Sequence, residues 1–174
     1  MKNNRKKVSE NLDSAPRRVE HSRDLAVQGK KPPGLQICEK CNAVFHKKRW
    51  QWNAELLQQH KNEKEIMTTC PACKVTRPED AEGVVSLKGF VSESQREEML
   101  RLMKHVGERA TKRDPLDRIY KSIVKDKEVL VYTTENQLAI SIGKQVKKAF
   151  HGQLKIDMSQ EGDIVRVYWE GWMG

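Results

Sequence analysis

A chain of 174 residues has room for one domain or two small ones; with 37% hydrophobic against 33% charged residues, its core is modest and part of it is expected to stay unfolded. The net charge of +9 favours polyanionic partners such as nucleic acid, the ribosome or an acidic membrane face. No apolar run approaches the roughly 18 residues of a membrane span, and MKNNRKK leads into no apolar segment of the signal-peptide kind, so the cytoplasm, where thiols stay reduced, is the expected location.

Residues 1–34 carry nine Lys/Arg against four Asp/Glu, have no periodic apolar face and end in GKKPPG, which predicts a disordered basic tail. Such a tail is either solubilising or an arm that gains phosphate contacts. GLQICEKCNAVF reads as a short hairpin around a cysteine turn. Asn53 can cap a helix over 53–65, with Leu56, Leu57, His60 and Lys64 along one side. MTTCPACKV is a second cysteine turn, and EGVVSLKGF alternates as a strand does, Val85 and Leu87 against Ser86 and Lys88.

In SESQREEMLRLMKHVGERATKR, Ser94 and Glu97 fit a capping box, and Met99, Met103, Val106 and Ala110 form an apolar stripe that is core or a partner groove. Pro115 biases Asp114 away from helix and ends it. EVLVYT is a predicted strand. A helix follows over 135–151 with Leu138, Ile142, Val146, Ala149 and Phe150 on one face. QLKIDM alternates with Leu154, Ile156 and Met158 on one side, SQEG turns the chain, and DIVRVYW alternates with Val165, Val167 and Trp169 on one side.

The four cysteines fall in two pairs, Cys38-x-x-Cys41 and Cys70-x-x-Cys73, with 28 residues between the pairs. Two residues between thiolates let one tight turn aim both sulfurs at a cation, and two such turns supply the tetrahedral set that Zn²⁺ takes. Asn42, directly after Cys41, tolerates the left-handed backbone that such turns use, whereas Lys74 after Cys73 is less accommodating. A thioredoxin-like redox pair would need one motif in a βαβ setting; disulfides do not suit the cytoplasm; a catalytic zinc would keep an open position. His46 or His60 in place of one cysteine, or an iron–sulfur cluster on the same thiols, are the remaining alternatives.

Directly after the first turn comes FHKKRWQW. Lys47, Lys48 and Arg49 are candidate phosphate contacts, and Trp50 and Trp52 candidate platforms for unpaired bases. The competing reading makes Phe45, Trp50 and Trp52 the small core beside the metal, with the two tryptophans not both directed inward. The cations have a second possible duty. Four thiolates and one Zn²⁺ leave a charge of −2, which Lys40, Lys47, Lys48, Arg49 and Lys74 are placed to offset. Lys144, Lys147 and Lys148 form a second basic face on the carboxy-terminal helix, either a nucleic-acid contact or an ordinary solvated surface.

The stretch ICEKCNAVFHKKRWQW, with CPACK, LAISIGKQVKKAFHGQLKI and VRVYW, resembles a group of short bacterial proteins. Residues 36–90 also resemble the second cysteine module of the nonsense-mediated-decay-three family, the export adaptor of the large ribosomal subunit. There, too, an aromatic and a tryptophan follow the cysteine turn. That resemblance implies a zinc-bearing module that binds the large subunit or its RNA. ENQLAISIGKQVKKAFHGQLKID is similar to the KH segment of the transcription factor NusA, but Gly143 is followed by Lys144, Gln145 and Val146, without the second glycine of a Gly-x-x-Gly grip.

The sequence thus predicts a non-enzymatic α+β protein: a tail over 1–34, a Cys₄ zinc ribbon with a helical insert over 35–90, and a helix plus a small β-α-β-β sandwich domain over 91–174. Its expected cofactor is Zn²⁺ on Cys38, Cys41, Cys70 and Cys73. Its expected partner is RNA, ribosomal RNA or the large subunit first; a protein-interaction adaptor and a DNA-binding regulator are the alternatives, and no membrane is involved.

Overall fold

The computed structural model describes residues 35–59, 65–125, 128–160 and 163–171. The expected tail, His60 and Lys64 lie outside them. The described chain is mixed α+β, with a four-stranded and a five-stranded sheet and four α-helices.

The first sheet is made of three-residue strands: β1 (Gln36–Cys38), β2 (Val44–His46), β3 (Arg49–Gln51) and β4 (Ile66–Thr68), in the order β3-β2-β1-β4. Helix α1 (Ala54–Gln59) is capped as expected, with the Asn53 side-chain oxygen accepting from the Leu56 N–H at 2.9 Å. The described part of this helix ends at Gln59, and the remainder of the expected helix, residues 60–64, lies outside the described residues. β1 pairs antiparallel with β2 but parallel with β4. The parallel pairing matters for the site. β1 and β4 run the same way and each leads into a cysteine turn, so both turns emerge at one end of the sheet. Alternation then sorts the side chains. Ile37 and Val44 pack with Leu35 and Leu56 in one cluster; Cys38, Ala43 and Trp50 pack with Cys70 and Ala72 in another.

The second sheet has the order β6-β7-β5-β9-β8. It comprises β5 (Gly83–Lys88), β6 (Ile119–Lys125), β7 (Glu128–Thr133), β8 (Gln153–Met158) and β9 (Val165–Glu170). Helices α3 (Glu93–Arg113) and α4 (Asn136–Phe150) cover one face through a shared apolar core of Val85, Leu87, Val131, Val167, Trp169, Met103, Ile142 and their neighbours. The expected strand–helix–strand–strand unit is present as β7-α4-β8-β9, but the sheet is larger. β5 lies in its centre, parallel to β9 and antiparallel to β7, and β6 adds an edge. The strand expected at the end of the cysteine domain therefore belongs to the second sheet, because Val85 and Leu87 find their apolar partners under α3 and α4.

Three local expectations change. Ser92, not Ser94, caps α3, accepting from the Gln95 N–H at 3.1 Å. Ala149 is exposed, and Ala139 and Gly143 fill the buried face of α4 instead. Met99 and Met103 are core, which removes the partner groove. Of the described residues, no helix is long and apolar enough to cross a membrane.

Candidate metal centre and the adjoining basic cleft

The first cysteine turn closes with the Cys38 N–H donating to the Ala43 carbonyl and the Asn42 N–H to the Cys38 carbonyl, both at 2.8 Å. Asn42 has φ 61°, the left-handed conformation that asparagine tolerates better than most residues. The second turn is built differently. Cys70 precedes α2 (Pro71–Lys74), a single helical turn that Pro71 opens, and the Cys73 and Lys74 N–H groups both donate to the Cys70 carbonyl. Lys74 thus needs no left-handed backbone.

The four Sγ atoms lie within 4.8 Å of one another, and Cys41 Sγ and Cys70 Sγ are 3.7 Å apart. Sulfurs about 2.3 Å from a central ion in a tetrahedron stand about 3.8 Å apart. A disulfide needs a separation of about 2.05 Å. The donor set therefore fits one tetrahedral metal ion, and all four cysteines are free thiols. His46 is not of this group; its Nδ1 faces Gln51 Nε2 at 3.4 Å.

The protein prepares this site electrostatically. Burial pushes the Cys70 and Cys73 thiols up. Burial acts on Cys38 in the same sense but is outweighed by backbone N–H groups of Cys70, Lys40 and Cys41, and the thiol falls to about 6. The Cys70 N–H donates to Cys38 Sγ at 3.3 Å. A bound cation would take over this balance, since coordination deprotonates a thiol outright.

The closest cation is one that sequence reading missed. Arg118, from the loop between α3 and β6, donates through Nη2 to Cys41 Sγ at 3.1 Å and through Nη1 to Cys73 Sγ at 3.4 Å. Burial disfavours its charge, but the sulfurs of Cys41, Cys73 and Cys70 more than compensate and raise its pKa further. Its Nε donates to the Pro115 carbonyl at 2.5 Å, and Leu116 packs on the cysteine cluster. Lys40 reaches the carbonyl of Cys73, not a sulfur. Among the described residues, no hydrogen bond joins a side chain of Lys47, Lys48 or Arg49 to a cysteine, and all three are exposed. No signal short of the fold marks Arg118.

The two tryptophans separate by role. Trp50, 8% exposed, packs beside Phe45 with ring centroids 5.5 Å apart. Trp52, 42% exposed, lies past the end of β3. Its indole N–H donates to the Thr111 carbonyl of α3 at 2.6 Å, and the Arg118 guanidinium stands 5.8 Å from its ring centroid. As expected, the two are not both directed inward; alternation is not the reason, since residues two apart in a strand share a face, but Trp52 lies beyond the end of β3. Trp50 packs in the cysteine cluster, and Trp52 bridges to α3 and Arg118.

Lys47 and Lys48 form the two-residue turn between β2 and β3, with φ 50° and 65°. Both lysines, and Arg49 after them, are exposed. Beside this hairpin is a cleft of about 580 Å³ between the cysteine module and the end of α3. Lys48, Arg49, Lys112 and Arg113 line it with Trp50 and Trp52, against one acidic residue, Asp114. Lys112 and Arg113 were visible in the sequence only as part of TKRDP, a helix stop. Lys144, Lys147 and Lys148 are exposed on α4 and do not line this cleft. Gly143, at the centre of the KH likeness, is a packing glycine: a Cβ there would stand 2.4 Å from Val167 Cγ1.

No family model matches the chain, and no curated protein matches it.

Proposed function

We propose that this is a zinc-binding, RNA-interacting protein that acts by binding and not by catalysis. The cleft beside the metal centre carries the reading. It sets four cations and an accessible tryptophan around one space, between two parts of the chain that Arg118 and Trp52 hold together. Cations meet phosphates, and an indole face takes an unpaired base of any identity. A volume of about 580 Å³ is ample for a nucleotide. With zinc as the ion, four thiolates fill its shell, which supports a structural metal. The resemblance of residues 36–90 to a large-subunit adaptor module makes ribosomal RNA or the large subunit the first partner to test, in the cytoplasm.

One observation favours a protein partner as the second reading. The edge strand β8 leaves Ile156 and Met158 exposed on the side where Leu154 packs. Sucrose-gradient sedimentation of lysate with and without nuclease separates the two. Release from ribosomal fractions when RNA is cut supports the RNA reading. Nuclease-resistant association supports the protein reading and contradicts the first.

A further inference from the structure

A second cleft, of about 320 Å³, lies between α3 and α4. Its lining includes Arg109, Arg113, Asp117, Gln137, Ser141 and Gln145. Arg113 lines this cleft and the basic cleft alike, so the two are separated by the width of one side chain. Arg109, Lys112 and Arg113 are spaced i, i+3 and i+4 on α3 and form one surface patch.

The arginines of this patch are held in place. Arg113 Nη2 donates to Asp117 Oδ2 at 3.1 Å while most of its side chain stays exposed. Arg109 Nη2 donates across to Gln145 Oε1 on α4 at 2.9 Å, and Gln145 Nε2 is 3.2 Å from Ser141 Oγ. Cations fixed in this way lose less side-chain freedom when they bind a ligand. Beyond Gln145 the next neighbour on the same side of α4 is Lys148, with Lys144 one turn before it, both exposed.

We propose that the two clefts form one continuous track for single-stranded nucleic acid. The strand enters at Lys48 and Arg49, crosses Lys112 and Arg113, and leaves over Arg109 toward Lys144 and Lys148. The proposal rests on the RNA-binding reading and deepens it: the ligand is an extended strand, not a lone nucleotide held at the hairpin. It also gives the carboxy-terminal lysines a place on the same path as the hairpin cations, which the sequence left as two unrelated patches.

The test is fluorescence anisotropy with labelled oligouridylates from about 4 to about 16 nucleotides, a range typical of single-strand sites. The track predicts affinity that climbs with length beyond the shortest oligomer. It predicts that Arg109→Gln weakens the longest several-fold, lowers its salt slope by about 0.7, and leaves the shortest unchanged. Arg109→Lys, which keeps the charge, should retain most of the binding. Affinity that is flat with length and indifferent to Arg109→Gln overturns the track while leaving the hairpin cleft as an RNA site. Absence of binding at every length overturns both. Matched oligodeoxythymidylates that bind with the same length dependence support the track and extend it to single strands of either sugar.

Discussion

Arg118 and Cys41 are 77 residues apart in the chain, and Nη2 of one stands 3.1 Å from Sγ of the other. This contact joins the candidate metal centre to the loop that leads into β6. It also places a positive charge against a set of thiolates whose net charge with a divalent ion is −2. A partner of this kind to the ligands typically changes metal affinity by 10- to 100-fold when removed. Arg118→Met should therefore weaken zinc binding by about that factor, measured by competition with a chromophoric chelator. Arg118→Lys should recover little, since one ammonium cannot reproduce the two-pronged contact. Unchanged affinity in Arg118→Met would remove the arginine from the metal's environment.

The hairpin tip offers a separate test. Lys47 and Lys48 both hold positive φ, a conformation that costs a side-chain-bearing residue about 1–2 kcal/mol and that Asn-Gly adopts readily. Lys47→Asn with Lys48→Gly should raise stability by about 1–2 kcal/mol in urea unfolding and weaken RNA binding at the same time. A gain in stability with full binding would mean that the strained lysines do not serve the ligand.

Glu135, at the start of α4, supplies a pH signature. Burial, with the negative charges of Glu82, Asp117 and Asp114, lifts its carboxyl from an ordinary 4.5 to about 8. The folded protein then holds a proton that the unfolded chain has released, so this group's contribution to stability is fully present below about 4.5 and is lost as pH rises through about 8. Glu135→Gln should stabilise the protein at pH 8 by a few degrees in melting temperature, and by less at pH 6. The difference between the two proteins isolates Glu135 from Cys38, whose thiol is lowered to about 6. An equal effect at both values would contradict the shift.

The elements legible in the sequence were those whose pattern is local. The left-handed Asn42, the two cysteine turns, the Asn53 cap, the Met99–Met103 stripe and the alternation of β9 all follow from a few neighbouring residues. What was hidden depends on partners far along the chain. Alternation identified Val85 and Leu87 as a strand but could not say that β5 pairs with β7 and β9. β4 is only three residues long, and β6 mixes lysines with apolar residues on an edge, so neither shows a clear period. The site was legible in half for the same reason. Cysteine spacing marks the candidate ligands, whereas Arg118, Lys112 and Arg113 reach the cysteine cluster or the cleft only through the packing of α3 and its following loop against the cysteine module.

The decisive measurement is the salt dependence of RNA affinity for the native protein and for Lys48→Glu/Arg49→Glu/Lys112→Glu, three exposed residues that line the cleft. If the cleft holds the phosphates, the variant binds zinc as before but loses most of its RNA affinity, and its dependence on salt becomes flatter by about two. A variant that binds RNA with native affinity and a native salt slope would show that the cleft is not the RNA site.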